Sequence, residues 1–60
     1  MEVAKIAQYA RSLYDAHGDK AEAEAAQKAK QYLDEGEAEK AQTWKSIRLA
    51  ISEIRGARES

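Results

Sequence analysis

His17 is the single histidine of this 60-residue chain, and an aspartate stands two positions to either side of it, Asp15 and Asp19. Flanking carboxylates could orient an imidazole for acid–base work or share a metal ion with it. On a helix, though, positions two apart face different ways, and each residue has a simpler local task. His17 suits the negative end of a helix dipole, and Asp19 suits a helix start. The other ingredients of a catalytic or metal site do not gather around them. The chain has no cysteine, which removes a thiolate nucleophile, the thiolate zinc sites and any disulfide. No Glu-x-x-His pair of the di-iron kind occurs, and no serine stands in a recognisable constellation with the histidine. The glycines are isolated at positions 18, 36 and 56 instead of forming a phosphate loop. A chain this short also leaves little room for a concave ligand pocket. The expectation is a protein that is not an enzyme, with no catalytic residue, cofactor, metal or small-molecule substrate.

The more promising residues crowd the C-terminal third. Trp44, Ile47, Ile51 and Ile54 follow one another at steps of three and four, and Leu49 falls between them. The simplest use for them is as core. Yet Leu49 and Ile51 point to different sides of one helix, so both cannot face the same two neighbours in a small bundle. One side should stay partly exposed, and an exposed apolar stripe marks a partner. Trp44, Ile47, Leu49, Ile51 and Ile54 are therefore expected to anchor a contact with another protein or a second copy of the chain. Lys45, Arg48 and Arg55 would form the polar rim and steer towards an acidic partner.

The charge distribution offers a second reading. The whole chain carries ten basic and eleven acidic residues, a formal charge of −1. Residues 40–58 hold Lys40, Lys45, Arg48, Arg55 and Arg58 against Glu53 alone. With Ser46 and Ser52 between them, those bases could lie along a phosphate backbone, making the chain a nucleic-acid-associated regulator. A DNA-binding helix-turn-helix expects a small residue four before its turn glycine, where this chain has Tyr14 and Tyr32. The protein-contact reading is therefore preferred. A membrane-surface role is set aside, because Glu53 interrupts the basic face.

These residues must be carried by helices. No proline, three glycines and a strong alanine, glutamate and lysine bias favour helix, and strand-like alternation is absent. The first segment, about 2–17, spaces Val3, Ile6, Ala10 and Leu13 as an amphipathic helix. Gly18 then takes the C-terminal cap position, and Asp19 with Glu22 reads as the capping box of the next helix. The second segment, about 20–35, has a face of Ala21, Ala25 and Ala29, widened by Tyr32 and Leu33, thin enough to pack closely on both other helices. Gly36 ends it. The third, about 37–55, opens on Glu37 and Glu39, closes on Arg55 and Gly56, and leaves 57–60 as a frayed tail.

An internal echo supports this division. Tyr14-x3-Gly18-x4-Ala23 returns 18 residues later as Tyr32-x3-Gly36-x4-Ala41. In these residues the chain resembles the helix-turn-helix of tetratricopeptide repeats, with Ala29 on that family's small-residue position. It departs from the family in its period, in Trp44 standing one residue before the bulky position, and in lacking a terminal proline. The resemblance implies helix-hairpin geometry and no ligand groove. The chain also resembles short bacterial all-α proteins that end in a Trp-x-x-Ile-Arg helix, which implies no activity.

The expected fold is one all-α domain over residues 1–60, a three-helix bundle of short antiparallel helices with tight glycine turns. The alternative is a two-helix hairpin, with Gly18 inside one long helix, dimerising into a four-helix bundle. Val3, Ile6, Leu13, Leu33, Trp44, Ile47, Leu49, Ile51 and Ile54 with three tyrosines make a short list for a core. No apolar run approaches the ~20 residues that span a bilayer, and the opening Met-Glu-Val-Ala-Lys-Ile lacks a secretory layout. The expected location is the cytoplasm.

Overall fold

A computed structural model describes residues 3–58. Three helices follow in order: α1 Val3–His17, α2 Lys20–Asp34 and α3 Ala38–Arg58. They form a three-helix bundle whose successive helices run antiparallel, with the start of α2 beside the end of α3. Gly18 separates α1 from α2, so the two-helix hairpin is not the fold. The core place expected of the Val3 side chain, and the tail at residues 59–60, lie outside the described residues.

The two turn glycines have positive φ, 62° at Gly18 and 78° at Gly36, a region that costs any residue with a Cβ. The echo gives them equivalent places and different hydrogen bonds. The Gly18 amide donates to the Tyr14 carbonyl at 2.7 Å, a single bond closing α1. After α2 the Gly36 amide donates to the Leu33 carbonyl at 3.1 Å and the Glu37 amide to the Tyr32 carbonyl at 2.8 Å, the paired Schellman arrangement. The third element of the echo diverges. Ala41 is buried, while Ala23 faces solvent.

Two local expectations are corrected. Asp19 caps α2 only through its position, with helical φ and ψ and no side-chain bond to the helix start. An N-cap side chain reaches the following amides from the extended region, and Asp19 does not adopt it. Both acids of the expected capping box turn instead to Arg55 at the far end of α3. Glu22 Oε1 accepts from Arg55 Nη1, and Asp19 Oδ1 stands 3.7 Å from Arg55 Nε. Gly56 likewise does not cap α3, which runs on to Arg58. With no positive φ it is an ordinary helical residue.

The interior is small. Ala10, Ala21, Ala25, Ile47 and Ile51 are buried together, with Ile6, Leu13, Tyr14, Trp44, Ala50 and Ile54 packed around them. The alanine stripe of α2 lets α3 approach closely. Helix α3 is the shared partner: both α1 and α2 lie chiefly on it and only slightly on each other. Helix α2 does touch both others, as its alanine face suggests, but α3 is the more extensively shared partner. At 21 residues it is the longest of the three helices, in a molecule 37 × 22 × 18 Å.

Candidate functional site

The eight residues expected to share one contact surface divide into four groups. Ile47 and Ile51 are fully buried and hold the bundle together, so they present nothing to a partner. Trp44 and Ile54 are partly buried and pack against that core. The Trp44 ring meets Tyr9 of α1 edge-on, with centroids 5.5 Å apart and planes at 89°. Arg55 is bonded to Glu22 and Asp19, which ties it to α2 instead of to a rim. Leu49, Lys45 and Arg48 remain on the surface, with Leu49 57% exposed.

Helix geometry explains the split. Leu49 is two positions from both Ile47 and Ile51, which at ~100° per residue puts it roughly 160° from each. When those isoleucines face inward, Leu49 must face out. Lys45 and Arg48, four and one positions before it, fall on its side of the helix.

Helix α2 supplies the other wall. Ala26, Ala29, Lys30 and Leu33 line, with Lys45, Arg48 and Leu49, an open groove of about 430 Å3 between the two helices. Its floor is alanine and its edges are leucine and the aliphatic stems of three bases. Leu33, expected in the core, is 55% exposed. Tyr32 and Leu33 are adjacent large residues, so only one of them can sit beneath the Ala21–Ala25–Ala29 stripe. That adjacency was the available signal, the same one that separates Leu49 from Ile51. Lys30 carried no signal at all, since a lone helical lysine usually lies on a solvated face.

The chemistry around His17 disperses. His17 Nδ1 stands 3.1 Å from Glu24 Oε1 of α2, across the first turn. Asp15 is exposed and Asp19 faces Arg55. Among the described residues no group of three or more histidine or carboxylate side chains could hold a metal ion. No helix among them is long and apolar enough to cross a membrane.

At the second turn, Lys40 Nζ stands 3.1 Å from Glu37 Oε1 and 5.5 Å from the centre of the Tyr32 ring. The hydrogen-bonded Glu37 carboxylate raises the Lys40 pKa above the ordinary lysine value. A second hollow, between α1 and α2 beside Trp44, carries Tyr9 and Leu13 on one side and Gln27 and Gln31 on the other. It is the more polar of the two and holds no exposed leucine.

No family model matches the chain, and neither a curated protein nor a solved structure does.

Proposed function

We propose that the chain is a small non-enzymatic protein-contact module that works through the α2–α3 groove. The observation that carries this reading is the pair of exposed leucines, Leu33 and Leu49, on opposite walls of one alanine-floored hollow. Scattered surface leucines need no explanation, but two that line one groove over an alanine floor form an apolar patch. Desolvated anchors ringed by polar groups are the usual anatomy of a protein contact. Lys30, Lys45 and Arg48 supply that ring and make no salt bridge within the described residues. The anchors are thus Leu33 and Leu49, not Trp44, Ile47, Ile51 and Ile54.

A photo-reactive residue at position 49 tests the reading in cells. It should give a discrete protein adduct that a probe at exposed Ala7 does not, and Lys45→Glu/Arg48→Glu should remove it. Equal adducts at both positions would sink the proposal.

The three bases also favour a second reading, contact with a phosphate backbone. Retention on duplex DNA that falls steeply with salt and vanishes in Lys45→Glu/Arg48→Glu would favour it. No retention at low salt would end it.

A further inference from the structure

The groove's electrostatics narrow its occupant. We infer that the α2–α3 groove receives an acidic amphipathic helix of another protein, with two apolar side chains one turn apart flanked by Asp or Glu. This rests on the reading of the groove as a protein-contact site.

The shape comes first. Two antiparallel helices joined by a tight turn leave a straight furrow between their outer faces, and a third helix laid along it is the natural complement. Leu33 and Leu49 stand on opposite walls, so side chains at i and i+4 of an incoming helix can pass between them. The alanine floor at Ala26 and Ala29 leaves the depth for those side chains.

Charge then selects among helices. Every ionisable residue lining the groove is basic: Lys30 on one wall, Lys45 and Arg48 on the other. The nearest acids on the same two faces, Asp34 on α2 and Glu53 on α3, lie one turn beyond Lys30 and Leu49 respectively. Because α2 and α3 are antiparallel, those two acids mark opposite ends of the furrow and leave its middle positive. A partner helix is therefore selected for acids along its centre.

The same charges disfavour a second copy of the chain. A two-fold dimer through this face would set the basic ring of Lys30, Lys45 and Arg48 against the same basic ring of the other copy. Like charges brought together in a desolvating contact repel, and no lining acid relieves them. A head-to-tail contact, with the acidic second turn of one molecule in the groove of the next, would build rings or open chains of molecules instead of a two-fold dimer. A nucleic-acid backbone satisfies the bases but leaves both leucines uncovered.

The test is selection from a displayed library of alanine-based helical peptides, varied over Leu, Glu, Lys and Gln on one face, against the whole chain at moderate salt. Enriched peptides should carry Leu at i and i+4 with Glu on both flanks. They should bind Leu49→Glu at least ten-fold more weakly, and Lys45→Glu/Arg48→Glu should turn the selection towards Lys-flanked peptides. All three positions are exposed, and circular dichroism checks that each variant keeps its helices. Enrichment of neutral or Lys-flanked peptides that still depend on Leu49 would overturn the acidic assignment and leave the groove as a contact site. Peptides indifferent to both Leu33→Glu and Leu49→Glu, or no enrichment, would remove the groove reading as well. A dimer by light scattering that Leu49→Glu dissociates overturns the inference in favour of a second copy. A duplex DNA probe whose binding the charge-reversed variant loses overturns it in favour of nucleic acid.

Discussion

Among the described residues, Ile47 and Ile51 are the large side chains that the fold buries fully, and the rest of the deep interior is alanine. Each isoleucine therefore carries an unusual share of the stability. Ile51→Ala should cost ~2–5 kcal/mol, against the ~3–5 kcal/mol that a core of this size supplies in total. The variant should lose most of its far-ultraviolet helix signal at room temperature. Leu49→Ala, at a residue 57% exposed, should change stability by no more than ~0.5 kcal/mol. If the two variants behaved alike, the division between core and groove would be wrong. Trp44 offers a third test. Its edge contact with Tyr9 is worth ~0.5–1.5 kcal/mol beyond area. Tyr9→Ala should lower the melting temperature and shift tryptophan emission to the red, and an unchanged spectrum would mean that α1 does not cover the indole.

At the scale of the element, the same substitution should act with opposite sign at different glycines. Gly18→Ala or Gly36→Ala forces a Cβ into positive φ and should destabilise by ~1–2 kcal/mol. Gly56→Ala, in a helical backbone where an added Cβ meets nothing within 4 Å, should stabilise by ~0.5–1 kcal/mol. Thermal melts of the three variants decide it. This marks how far the helices were legible from sequence. Gly18 and Gly36 each follow a tyrosine by four and precede a polar helix start, whereas Gly56 has Ala57 and Arg58, good helix formers, beyond it. A glycine ends a helix when its neighbours also favour ending, and those after Gly56 do not. The capping box at Asp19 and Glu22 was misread for a different reason. A distant cation, Arg55, outcompetes the local amides, and a pattern within one segment cannot reveal a partner more than thirty residues away. Arg55→Ala should accordingly cost on the order of 1 kcal/mol at low salt and less at high salt, because the pair is only partly buried. The Lys40–Glu37 pair behaves oppositely to a carboxylate pair in pH. A raised lysine pKa stabilises below the ordinary lysine value and loses that effect as pH climbs through the raised one. Lys40→Met should therefore lack the part of the parent's loss of stability that comes as pH climbs through the raised lysine value, and an identical alkaline profile would refute the contribution.

For the whole molecule, the sequence made the three-helix count and the two-sidedness of α3 readable, because both follow from helical spacing alone. It did not reveal which neighbour meets the outward side. The groove needs Lys30 and Leu33 from α2 beside Lys45 and Leu49 from α3, a juxtaposition set by the register in which the Gly36 turn docks the two helices. That docking has a kinetic corollary. Helices α2 and α3 are consecutive, joined by a short closed turn, and share the most extensive packing in the fold. Their pairing closes only a small loop and should form first, while α1, whose one fully buried residue among those described is Ala10, docks afterwards. Opening should retrace the order. Native-state amide exchange should find the amides of α1 protected least and those around Ile47 and Ile51 most. The chain would then release its first helix in fluctuations that leave the α2–α3 furrow standing, and its recognition surface would outlast the integrity of the bundle that carries it.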